Sequence, residues 1–133
     1  MFSNSIISAE ALTSSSLILS FDGPQLREKY RVGSEIIVGH DLRVEGVVTN
    51  NMNHDVSFVY IVQIKDSEGL TLEIITKNSW IAENERSYVS VPWVPQLSCD
   101  CQIETFLWSD LHKPQVFAPN SGTFYATVVD FSG

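Results

Sequence analysis

From Leu42 to Thr76 the chain alternates apolar and polar residues in three runs parted by two turn signals. In the first run Leu42, Val44, Gly46 and Val48 share one side of an extended chain, and Arg43, Glu45, Val47 and Thr49 the other. Asn50, Asn51, Asn53 and Asp55 follow, side chains that cap turns and tolerate left-handed backbone, so 50–55 is expected to be a loop. In the next run Phe58, Tyr60, Val62 and Ile64 face one way, while Gln63 and Lys65 mark the wetter side. Asp66-Ser67-Glu68-Gly69 reads as a hairpin loop with Gly69 at positive φ, and LTLEIITKNSW returns as the partner strand.

The flanking sequence extends this pattern. Leu17, Leu19 and Phe21 alternate with Ser16, Ile18 and Ser20, predicting a strand that Gly23-Pro24 ends, with LREKYRVG as a connection. Around Tyr88, Val89, Val91 and Trp93 another strand is expected, but Pro92 and Pro95 cannot donate to a ladder and place it at an edge or a bulge. CQIETFLW sets Ile103, Thr105 and Leu107 opposite Gln102, Glu104 and Phe106; residues 109–122 read as a long loop, and TFYATVVDF as the last strand. Turn signals recur every ~8 to 12 residues with no helical stripe, the pattern of an all-β, immunoglobulin-like antiparallel β-sandwich of seven or eight strands. The expected organisation is an N-terminal lead with a first or donated strand over 1–23, then the sandwich domain over 24–133.

The composition supports a packed domain and removes several functions. Apolar residues make up 44% of the 133, and charged residues 18%, which suits a single globular sandwich. Sixteen acidic residues against eight basic ones give a net charge of −8 and leave no cationic stripe for a phosphate backbone, so no nucleic-acid partner is expected. No apolar run reaches the ~18 residues needed to span a bilayer, and the Lys/Arg-free stretch 1–26 lacks a signal-type apolar core, so no targeting segment is read in the chain.

The motifs GVVTNN, FVYIVQIKDSEG, VPWVP and IETFLWSDLHKPQVFAP resemble the immunoglobulin-like repeat modules of archaeal secreted and cell-surface proteins, abundant in ammonia-oxidising archaea. The resemblance covers about residues 30–129; fibronectin type III-like and cell-adhesion-related sandwiches are looser relatives. It implies an extracellular or cell-surface location and a non-catalytic structural or adhesive role in an envelope assembly of the S-layer, pilus or archaellum stator type. The expected partners are envelope proteins, or further copies held through sheet edges. SCDC in place of the module's usual Gly-x-Tyr, and the first 23 residues, depart from it.

Chemistry-bearing residues are sparse. Cys99 and Cys101 on an extended strand point to one face about 7 Å apart, too far for easy bridging. Two structural thiols, a disulfide within or between chains, and metal or redox chemistry all stay open. A cupredoxin-like copper site fails because His112 comes eleven residues after Cys101 and no Met follows; His40 and His54 lie in turn-like segments, and neither metal nor cofactor is expected. Ser109, Asp110 and His112 mimic a hydrolase triad in composition only, so no catalytic residue is assigned and the chain is not expected to be an enzyme. Trp80, Trp93 and Trp108 are candidate contact aromatics, either capping the core or stacking on sugar. Leu17, Leu19 and Phe21 form a candidate strand-exchange segment, and no Asn-x-Ser/Thr sequon occurs. The alternative function is a soluble extracellular module that binds a carbohydrate or small molecule.

Overall fold

A computed structural model describes residues 17–28, 36–118 and 123–130. Among them lie nine strands: β1 (Leu19–Glu28), β2 (Ile36–Ile37), β3 (Leu42–Asn50), β4 (Val56–Lys65), β5 (Thr71–Ile81), β6 (Arg86–Trp93), β7 (Cys99–Trp108), β8 (Val116–Ala118) and β9 (Thr123–Val129). A three-stranded sheet β1-β3-β6 packs on a larger sheet ordered β2-β9-β7-β4-β5, with β8 pairing β7 off that path. All long strands pair antiparallel, and only β2 runs parallel to its neighbour β9. This is the immunoglobulin-like sandwich. Its seven long strands are those of the sequence reading; the short β2 lies apart, ahead of the run that begins at Leu42, and the short β8 lies within the stretch read as a long loop.

The alternating runs meet in the core. Leu42, Val44 and Val48 of β3 and Val89, Val91 and Trp93 of β6 face Phe58, Tyr60, Val62 and Ile64 of β4 and Cys101, Ile103 and Leu107 of β7. The Tyr60 hydroxyl donates to the Val44 carbonyl at 3.3 Å, linking the two sheets. Burial, reinforced by the Glu45 carboxylate, pushes that phenol well above its ordinary range, so it stays protonated. Glu45 is itself covered on the outer side of β3, where Arg27 Nη2 meets its Oε1 at 3.0 Å.

Three local expectations are corrected. Gly23-Pro24 does not end the first strand: β1 continues to Glu28 through a register shift between Asp22 and Gln25, with a cis peptide at Gly23-Pro24. Gly23 and Gly46 make this passage, because a Cβ on Gly23 would stand 3.1 Å from the Gly46 Cα. The 109–122 stretch is not all loop, since Leu107 and Trp108 pair with Ala118 and Val116. On β4 the supposedly wet face is dry at Val59 and Ile61, both buried, because Trp108 and Phe106 stand beside them in register on β7.

Two turns follow their residues. Asp66 Oδ1 accepts the Glu68 and Leu70 amides, both at 2.9 Å, and Gly69 adopts φ 88°, closing the β4–β5 hairpin as expected. Asn50 ties the 50–55 loop to the end of β5. Its amide nitrogen donates to the carbonyls of His54, Ile81 and Ala82 at 2.9 to 3.1 Å, while its Oδ1 accepts the Met52 amide.

Candidate interaction surface

Four sheet edges bound the described residues, and three are blunted. On β1 the edge is broken by the Asp22–Gln25 irregularity; β2 offers only two residues. β6 sits at the edge of the small sheet, as Pro92 required, and its Ser90 carbonyl is covered by Lys77 Nζ at 3.4 Å and Arg43 Nη2 at 3.5 Å. The fourth edge, β5, runs eleven residues without proline or glycine and pairs only with β4. Proline, bulges, short strands and inward-pointing charges are how sheets discourage further pairing, and at its free middle this edge carries only the last, in Glu73 and Lys77.

β5 is exposed over most of its length because the small sheet stops at β6; on its inner side Ile75 is half-buried against the core, Ser79 is half-buried and Ile81 is buried. In register with Ile64, Val62 and Tyr60 of β4, the residues Glu73, Ile75 and Lys77 face the side of the small sheet. Their neighbours Ile74, Thr76 and Trp80 face outward. The hairpin and outer face leave large apolar side chains in water: Leu70 and Trp80 are each 65% exposed and Ile74 56%. The register irregularity between Ile64 and Lys65 places Leu72 in a bulge at the start of the strand.

The structure disperses the residues singled out in the sequence. Trp93 lies in the core at 3% exposure and is no contact aromatic, because its strand position faces inward beside Val89 and Val91. Trp108 lies on the outer face of β7 with its ring centroid 5.9 Å from that of Phe106, and Trp80 on the outer face of β5, so the three tryptophans form no common platform. Leu19 and Phe21 pair with Asn50 and Val48 of β3 in the same chain, and Leu17 precedes the strand with its carbonyl accepting Asn51 Nδ2 at 3.2 Å.

Cys99 and Cys101 are joined in a disulfide, with Cα atoms 5.2 Å apart instead of the expected 7 Å. The first turn of β7 is contracted, which brings the pair into the range a disulfide spans. Beside it opens a cleft of about 100 Å³ lined by Ile64, Leu72, Glu73, Trp93, Leu97 and Cys99 among others. Ser109 and Asp110 serve their own loop: Ser109 Oγ accepts the Gln115 amide, and Asp110 accepts the amides of His112 and Lys113, each bond 2.8 Å. The two amides, first that of Lys113, hold the Asp110 carboxyl below its ordinary range. No cluster of three metal-ligating side chains occurs among the described residues, and no helix there is long and apolar enough to cross a membrane.

No family model matches the sequence, and no curated protein does. Solved structures do share the fold. The C-terminal domain of wzt superposes with a TM-score of 0.61 at 11% identity, covering 89% of this chain and 83% of that domain. The DNA glycosylase AlkC of Pseudomonas fluorescens, bound to DNA containing an abasic site analog, gives 0.58 at 6% identity over 86% of this chain. A calcium-binding mutant of Bacteroides uniformis beta-glucuronidase 2 gives 0.57 at 18% identity over 87%. This chain spans 31% of the glycosylase and 14% of the glucuronidase. At these identities the likeness is one of fold.

The sequence reading passed over Glu73, Ile75 and Lys77. The available signal was the length of the LTLEIITKNSW run, with its lack of proline and its two isolated opposite charges.

Proposed function

We propose that this chain is a non-catalytic structural or adhesive module of the cell surface, working through protein–protein contact in an envelope assembly. The observation that carries this reading is the open β5 edge, flanked by the exposed Leu70, Ile74 and Trp80. Unpaired backbone beside exposed apolar side chains is what strand-addition partners use: the backbone supplies hydrogen bonds, and the side chains supply buried area. The Cys99–Cys101 disulfide supports an oxidising location. The archaeal surface modules that the sequence resembles supply the envelope context.

The ligand-binding alternative has weaker support. The cleft beside the disulfide holds about 100 Å³, while small-molecule sites run to about 300 Å³ and more. The aromatics do not converge on a sugar-sized platform.

Cross-linking in intact producing cells, followed by fractionation, tests the proposal. The expected result is recovery with the envelope, cross-linked to itself or to another envelope protein. Recovery as an uncross-linked cytosolic species would overturn it. A saturable rise in melting temperature with a saccharide would favour the alternative.

A further inference from the structure

The charges on β5 select their partner. Glu73 and Lys77 point to the same side of the strand, and four residues of extended chain separate them by about 13 Å, too far for an ion pair within one copy. Lys77 instead reaches the Ser90 carbonyl, and Glu73 has no ion-pair partner among the described residues. Charged side chains on the inward side of an edge strand repel a generic incoming strand, which would have to bury them unpaired. An incoming strand that answers both charges escapes that penalty.

We propose that the strand is supplied by a second copy of this chain, paired antiparallel along β5 about a two-fold axis at Ile75. This rests on the protein-contact reading above and names its partner. In that register residue numbers of opposing positions sum to 150, so Glu73 of each copy faces the partner's Lys77 and Ile75 faces its own equivalent. Ile74 faces the partner's Thr76 on the outer side. A shift of two residues either way sets Glu73 against Ser79 or Ile75 and leaves both charges unanswered. A shift of one residue sets inner positions against outer ones and again separates the charges. The pairing is isologous, as a two-fold interface must be, and it joins the two large sheets into one continuous sheet. The small sheets do not obstruct it, because each ends at β6 and leaves Glu73 and Lys77 exposed on either side of the half-buried Ile75.

Charge reversal provides the test, read by sedimentation velocity over a concentration series of the full chain. The wild type is expected to dimerise as concentration rises. Each dimer contains the charge pair twice, so E73K or K77E alone creates two like-charged pairs and weakens association by about tenfold or more. The double variant E73K/K77E restores both pairs and recovers the dimer. An equimolar mixture of the two single variants forms mixed dimers for the same reason. Hydrogen exchange on the wild type gives a reading free of variants: β5 amides should slow between dilute and concentrated samples.

A wild type that stays monomeric, single variants that dimerise undiminished, a double variant that fails to recover, or slowing confined to other strands would each overturn the pairing. A monomer that still cross-links to a different envelope protein removes self-pairing alone. A monomer that cross-links to nothing removes the contact reading with it.

Discussion

The ring of Phe21 on β1 lies against Gly46 of β3, where a Cβ would overlap the ring and stand 2.9 Å from the Asp22 carbonyl. Phe21 also approaches Tyr60 of the opposite sheet, with ring centroids 5.8 Å apart, so it is held from two sides. Gly46→Ala is therefore expected to destabilise the domain by about 1–3 kcal/mol through overpacking. Urea denaturation measures it. Phe21→Leu in the same chain should relieve part of the cost, and additive losses in the double-mutant cycle would show that the two residues do not press on each other.

Asn50 is 1% exposed and its amide nitrogen serves three carbonyls. Asn50→Ala abandons them in a buried site, for an expected loss of about 3 kcal/mol. Asn50→Asp should lose more at neutral pH, because an ionised carboxylate has only acceptors to offer those oxygens. An aspartate variant as stable as wild type would contradict this bonding scheme.

Thr105 faces the core from β7, and its Oγ1 has no hydrogen-bond partner among the described residues. Thr105→Val keeps the shape and removes the buried hydroxyl. A gain of about 1 kcal/mol is expected in thermal or chemical denaturation. A loss would mean that the hydroxyl is satisfied.

Asp110 organises the 109–115 loop by accepting the His112 and Lys113 amides, and its folded pKa is lowered from the ordinary 3.8. A lowered carboxylate pKa contributes stability that is fully present above the unfolded value and is lost as pH falls through the folded one. The loop should thus be intact at neutral pH and loosen only in acid below 3.8. The amide shifts of His112 and Lys113, followed by NMR, should titrate with a midpoint under that value. A midpoint at or above it would rule out the two-amide cap.

Local pattern alone settles a large part of this protein. The alternations at Leu42–Val48, Phe58–Ile64 and Ile103–Leu107 fall on the core face because strand side chains repeat every two residues, and burying one face leaves one register. Asp66 and Gly69 announced their turn, since that chemistry is local, and Pro92 announced an edge by the amide it lacks. The remaining features depend on what lies across the sheet. The passage of β1 through Gly23-Pro24 needs Gly46 opposite; the dryness of Val59 and Ile61 needs Trp108 and Phe106 alongside; Trp93 is core, and not surface, because β6 packs over the large sheet. The contraction that joins Cys99 to Cys101 is likewise a backbone detail with no sequence signature. The open β5 edge is the clearest case: composition shows a strand there, but only the unequal widths of the two sheets decide that Glu73 and Lys77 stay exposed on either side of a half-buried Ile75.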